Sequence, residues 1–188
     1  MPTKPHTEAV LADGIRIRPL APGDTSALLD AYVRNRAYLR PFEPHRDEEF
    51  YTLDGQARRL SDQLSAQRAG ALFGWVLVDG ERVVGTVTLS HIVRGPLCSA
   101  NLGYWIDQGY GGRGLASAAA RFACAYAKEG LGLHRVEAGT LLDNLGSQRV
   151  LAKCGFSVIG DAPRFLHIDG AWRDHRLFQR VLHEGPPR

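Results

Sequence analysis

Residues 102–116 read LGYWIDQGYGGRGLA, and the fold follows from how this stretch is divided. Leu102 to Ile106 is apolar and aromatic, the pattern of a buried strand. Gly109, Gly111, Gly112 and Gly114 then interrupt it. From Leu115 the chain continues ASAAARFACAYAKE, rich in helix formers, so a helix begins directly behind the glycines. The first amides of a helix have no acceptor within it and carry partial positive charge. Laid bare by glycines, they suit a phosphate or pyrophosphate, and Arg113 adds a formal charge beside them. Such a turn also lets a helix pack close to a sheet, so the surrounding chain has to decide.

The chain has 188 residues, 44% hydrophobic and 23% charged, with a formal net charge of +3. That is one globular domain's worth of sequence, too weakly basic to argue nucleic-acid binding. Cys98, Cys124 and Cys154 form no CxxC pair, and no histidine stands at a metal-ligand interval from them. They read as reduced, buried small apolar side chains, and no metal is expected. The opening MPTKPHTEAV lacks the apolar core of a signal peptide, and no apolar run reaches membrane-spanning length. A cytoplasmic protein without membrane contact is expected.

Working outward, residues 1–12 are polar with two prolines and read as a flexible arm; 13–183 read as a single domain, and 184–188 as a disordered tail. IRIRPL from Ile15 alternates as a half-buried strand. A helix capped by Asp24 or Thr25 follows to about Tyr38, with Leu28, Leu29, Tyr32 and Val33 inward. A proline-rich loop spans 40–50. A second helix covers 52–69, with Leu53, Ala57, Leu60 and Leu64 at helical spacing. Strands at 72–78 and 82–91 flank a hairpin turn at Asp79-Gly80, with Gly85 marking a bulge or a close backbone approach. A strand at 134–141, a helix from Asp143 or Asn144 to about Cys154, and strands at 156–159 and 172–182 complete the chain. This is mixed α/β, with antiparallel and parallel pairing in one sheet.

Three blocks in this order resemble the GCN5-related N-acetyltransferases (GNAT), and most of all the Rim-type acetyltransferases of ribosomal-protein N-termini. They are LGYWID with GYGGRGLA, then NLGSQRVLAKCGF from Asn144 to Phe156, then DGAWRDHRLF from Asp169 to Phe178. The resemblance implies a central mixed sheet of about seven strands flanked by about four helices, splayed between the strand at 101–107 and the strand at 134–141. It implies acetyl-CoA as cosubstrate. Gly111, Gly112, Arg113, Gly114, Leu115 and Ala116 would hold its pyrophosphate. Trp105 and Ile106 would pair through their backbone with the pantetheine arm, and Asn144 would bond its amide. An amine acceptor, in the Rim-type relatives a protein N-terminus, would attack the thioester directly while both substrates are bound. The resemblance is compatible with a homodimer.

That attack needs a group to take a proton from the amine and one to protonate the leaving thiolate. Many relatives use a tyrosine on the Asn144 helix for the second task, where this chain has Leu151. Ser147, one turn after Asn144 on the same face, is the donor the Rim-type resemblance implies. For the first task the family offers a glutamate at the position of Asn101 or of Leu166, and neither is a carboxylate here. Asn101 marks the catalytic position; His167, His91 and His134 are the remaining candidates. Gly111 replaces the Gln or Arg that often opens the family's loop. Roughly 10% of an α-amine but well under 0.1% of a lysine is neutral at pH 7. A site short of a base therefore suits an α-amine.

Three rival readings remain at this point. Gly112-x-Gly114-x-x-Ser117, with Glu137 as a ribose-binding acid, reads as a damaged dinucleotide fingerprint, which leaves the Asn144 block without a purpose. A binder that keeps acetyl-CoA without turnover is the second. A small-molecule amine as acceptor is the third.

Overall fold

The computed structural model describes residues 6–187. The first five residues of the expected arm and Arg188 of the expected tail lie outside them. The strand alternation around Ile15 and Ile17 places both inside, and β2 (Arg16–Pro19) pairs antiparallel with β3 (Phe73–Asp79). β3 turns into β4 (Arg82–Val93), which pairs with β5 (Ser99–Ile106). β6 (Arg135–Leu141) lies parallel to β5, and β8 (Ala171–Val181) and β7 (Ser157–Ile168) finish the sheet. The order is β1-β2-β3-β4-β5-β6-β8-β7.

The eighth strand is β1 (Ala9–Val10), inside the stretch expected to be a flexible arm. Ala9 pairs with Ile17, and Thr7 O accepts the indole N–H of Trp75 at 3.0 Å. Trp75 is fully buried, so its N–H needs this acceptor, and the arm is tied down to supply it.

Helices cover both faces of the sheet. α3 (Leu115–Glu129) lays Ala119, Ala120, Ala123 and Ala127, all fully buried, against Leu89, Leu102 and Val136. Small side chains let the helix sit close to the strands. α4 (Leu145–Lys153) joins the same face through Leu151. α1 (Thr25–Leu39) and α2 (Leu53–Arg68) cover the other face, around Leu28, Tyr32, Leu60 and Val76. The three cysteines are buried and unpaired, as expected; burial pushes the Cys124 thiol up to about 11.

Helix positions hold while some inward faces differ. Val33, Leu53 and Ala57 are exposed; α1 instead buries Ala31 and Asn35, and α2 buries Gln56. Each amide has a partner that makes this affordable: Asn35 donates to Ala31 O at 2.9 Å and Gln56 to Phe50 O at 2.6 Å. Asp24 does not cap α1. Its carboxylate accepts from both Arg18 nitrogens, at 2.6 and 2.9 Å, and from the Ala21 N–H at 2.8 Å. The β3–β4 turn closes one residue later than expected, on Gly80 and Glu81, since Asp79 pairs with Arg82. The strand expected at 156–159 extends to Ile168.

Candidate active site

The sheet opens where β5 meets β6. Their ladder consists of Ser99 with Arg135, Ala100 with Val136 and Asn101 with Glu137, and no rung follows. Beyond it, Leu102 to Ile106 diverges from Ala138 to Leu141, as the family resemblance implied. β4 backs the diverging strand. Its register with β3 shifts at Leu77/Val78, and Gly85 lies against the end of β5, where an added Cβ would stand 2.6 Å from Trp105 O.

A cavity of about 600 Å³ fills the opening. Trp105 and Ile106 line its β5 wall; Gly111, Gly112, Gly114, Leu115 and Ala116 line its far end; Asn144 and Ser147 line the α4 side. Tyr38, Leu39 and Phe42 approach from the end of α1. Nine of the eleven residues singled out from sequence therefore share one cavity.

The glycine turn has the form an anion site needs. Gly114 caps α3 at φ +77°, a conformation open to glycine, with no side-chain cap. The first helical hydrogen bond runs from Ala118 N–H to Gly114 O at 3.0 Å. The amides of Leu115, Ala116 and Ser117 thus have no acceptor within the helix and face the cavity end. Nothing stands within 4 Å of a Cβ built on Gly112 or Gly114, so the approach is clear. Arg149 and Lys153 of α4 also line this end, two cations that sequence reading did not single out.

Arg113 and Asn101 lie outside the cavity lining. Arg113 folds back on its own loop, donating to Gly109 O at 3.2 Å with its guanidinium over Tyr110. Asn101 is exposed at the last rung of the ladder. Of the three histidines, His91 and His167 are exposed, and His134 Nδ1 lies 2.6 Å from His183 O.

Asn144 Oδ1 accepts the Ser147 N–H at 3.1 Å, so the residue caps α4 as expected. Its Nδ2 donors remain for the cavity. Ser147 has a partner that sequence reading missed. Tyr104 of β5 reaches across the opening, and its Oη shares a 2.8 Å hydrogen bond with Ser147 Oγ. Burial pushes the Tyr104 phenol up to about 12, against the opposing pull of Ser147, so at neutral pH it keeps its proton. The signal was present in the period-2 alternation, which sets Tyr104 on the same face as Leu102 and therefore on the α3/α4 side. Trp105 points the other way. Its indole N–H donates to Tyr32 Oη at 3.1 Å, which leaves only its backbone to the cavity.

Asp107 fixes the entry to the turn. It is 3% exposed, accepts from Arg34 Nε at 2.7 Å and accepts the Gly109 N–H at 2.9 Å. Burial works against its charge, but Arg34, Asn35 and the Gly109 amide outweigh it and hold the carboxyl below the usual aspartate range.

The acetyltransferase (GNAT) domain family matches residues 15–157. The chain belongs to the GNAT acetyltransferases. It is 35% identical over 167 residues to the ribosomal protein uS5-alanine N-acetyltransferase of Escherichia coli K12, covering 88% of this chain and 86% of that one. Its fold superposes on the ribosomal-protein-S5-alanine acetyltransferase of Vibrio fischeri with TM-score 0.87 at 31% identity, covering 90% and 94% of the two chains. Mycobacterium smegmatis RimJ, solved in complex with a CoA disulfide, gives TM-score 0.85 at 30% identity, covering 89% and 81%. The eight-stranded mixed sheet with four α-helices formed by the described residues is the GNAT fold, one strand more than the resemblance suggested. Among the described residues no group of three potential ligands could hold a metal, and no helix is long and apolar enough to cross a membrane.

Proposed function

We propose that this GNAT acetyltransferase moves the acetyl group of acetyl-CoA to a primary amine, most readily the α-amine of a protein N-terminus such as that of a ribosomal protein in the cytoplasm. One observation carries the reading: a single cavity joins uncapped helix amides, an unpaired strand edge and the Tyr104–Ser147 pair. Those parts match the three portions of acetyl-CoA in order. The Leu115–Ser117 amides, with Arg149 and Lys153, donate to the pyrophosphate oxygens. The free backbone of Trp105 and Ile106 pairs with the pantetheine amides, and Asn144 Nδ2 donates to the same arm. A backbone N–H of the splayed β5 edge steadies the oxyanion as the amine adds to the thioester carbonyl. Ser147 then protonates the sulfur as the C–S bond breaks, and Tyr104 Oη holds the serine hydroxyl toward it.

The acceptor assignment rests on the α-amine's larger neutral fraction and on what the similar proteins acetylate. The test is a transfer assay on N-terminal peptides, lysine peptides and small amines, with acetyl-CoA binding measured in parallel. Turnover on α-amine peptides, at least about tenfold above lysine peptides, is expected. Equal turnover on lysine removes the α-amine assignment, a preference for small amines replaces it, and binding without turnover on any amine overturns the catalytic reading.

A further inference from the structure

The sequence left this site without a proton acceptor, because neither Asn101 nor Leu166 is a carboxylate. We propose that Glu137 of β6 fills that role, from the strand beside the one where a base was sought.

Register puts it there. Asn101 and Glu137 form the last rung before the strands part, so Glu137 stands one strand spacing (about 4.8 Å) from position 101, at the edge of the opening and, like Asn101, just outside the cavity lining. Alternation sets its face. Val136 and Ala138 are buried with Ala100 and Leu102 under α3, so Glu137 points to the opposite side, with Asn101, Gly103 and Trp105. The glycine turn and Ser147 serve the opening from the α3/α4 side. An amine must reach the thioester from the other side, which is the side Glu137 occupies.

The surroundings suit the task. The next residues on that face are Gly103 of β5 and Gly139 of β6. Leu177, His175 and Phe165 crowd the space over Gly139, while nothing stands within 4 Å of a Cβ built on Gly103, so the clear path from the carboxylate to the opening runs over Gly103. Arg135 Nη2 holds Glu137 Oε1 at 2.7 Å, and Arg135 Nη1 donates to Gln179 Oε1 at 3.4 Å. This fixes the carboxylate and leaves Oε2 as an acceptor. The side chain is 35% exposed, enough for a water to relay the proton and carry it away. His175 lies further along the same face, but it is buried, its Nδ1 is 3.0 Å from Arg173 O and its ring packs on Phe165.

The step balances. As the amine nitrogen bonds to the carbonyl carbon, the proton it sheds passes to Glu137, directly or through a water. Collapse of the adduct breaks the C–S bond, and the sulfur takes the Ser147 proton. Glu137 then releases its proton to solvent, and Ser147 regains one.

This inference rests on the acetyl-transfer reading above. The test uses the full chain with an α-amine peptide and acetyl-CoA. Glu137→Gln is near-isosteric, and it should lower kcat about 100-fold or more while acetyl-CoA affinity stays within about twofold. Adding Asn101→Glu to that variant returns a carboxylate to the same rung and should recover at least about tenfold of the loss, a rescue that a purely structural role for Glu137 would not give. Wild-type turnover with a Glu137→Gln rate within about threefold overturns the assignment alone, as does a loss confined to acetyl-CoA affinity or one unaffected by Asn101→Glu. If Glu137→Gln fails to fold, Glu137→Asp and Asn101→Glu/Glu137→Asp decide by the same rescue. Absence of transfer by the wild-type chain overturns the reaction itself.

Discussion

Ser147 and Tyr104 show how much one hydroxyl depends on its neighbour. Serine is a weak acid, and its value as a donor lies in where its proton points. Tyr104→Phe removes only the Oη at 2.8 Å and keeps the ring packed. We expect kcat to fall about tenfold with acetyl-CoA affinity unchanged, a larger fall in Ser147→Ala, and a double variant no slower than Ser147→Ala alone. Additive losses in steady-state rates would separate the two residues. Asp107 works through geometry. Asp107→Asn leaves Arg34 short of its anion and should cost about 1–3 kcal/mol in denaturant unfolding. The depressed carboxyl also sets a direction with pH. Its contribution is present above the ordinary aspartate pKa and is lost as pH falls through the lower folded value. The gap between wild type and Asp107→Asn should therefore narrow in acid, and a gap independent of pH would contradict the ion pair's role.

Among the elements, the β5 splay is the one the site cannot do without, and Gly85 behind it is its support. A Cβ there would press on Trp105 O at 2.6 Å and on Ile106 Cδ1 at 2.9 Å. Gly85→Ala should cost about 1–3 kcal/mol and also weaken acetyl-CoA binding, because the strand edge must move. Calorimetric titration showing unaltered binding would mean the edge does not contribute. Gly85 was legible in the sequence, as were the strand–glycine–helix order of 102–116 and the Asn144 cap, because each depends on local chemistry. The Tyr104–Ser147 and Asn101–Glu137 pairs were not, although all four residues were in view. Two strands' relative register is set by long-range packing, and Glu137 read alone suggested a different ligand. β7 escaped for a related reason. Its register slips twice, at Val158/Gly160 and Ala162/Leu166, which erases the alternation, and Pro163 sits within the second slip.

On the scale of the molecule, the proposed reaction brings its two substrates from opposite faces of one sheet. In that proposal the α3/α4 face takes the nucleotide, while the α1/α2 face and the β7–β8 hairpin frame the acceptor. The hairpin tip is tied to the far layer. Asp169 Oδ1 accepts from Arg40 Nε at 2.8 Å, and the Asp169 N–H donates to Glu43 O at 3.2 Å. The ion pair joins residues 129 apart across the proposed acceptor side, yet it is exposed and screened by salt. It therefore positions the hairpin without adding much to global stability. Asp169 lies at φ +44°, so asparagine is the substitution that keeps the turn while removing the charge. Asp169→Asn should raise the acceptor KM a few-fold and leave the melting temperature and acetyl-CoA affinity in place. Added salt should raise the wild-type KM toward that of the variant and move the variant less, since the pair it would screen is already gone. A variant that tracks the wild type at every salt concentration would show that the acceptor side is framed by the backbone contact to Glu43 alone.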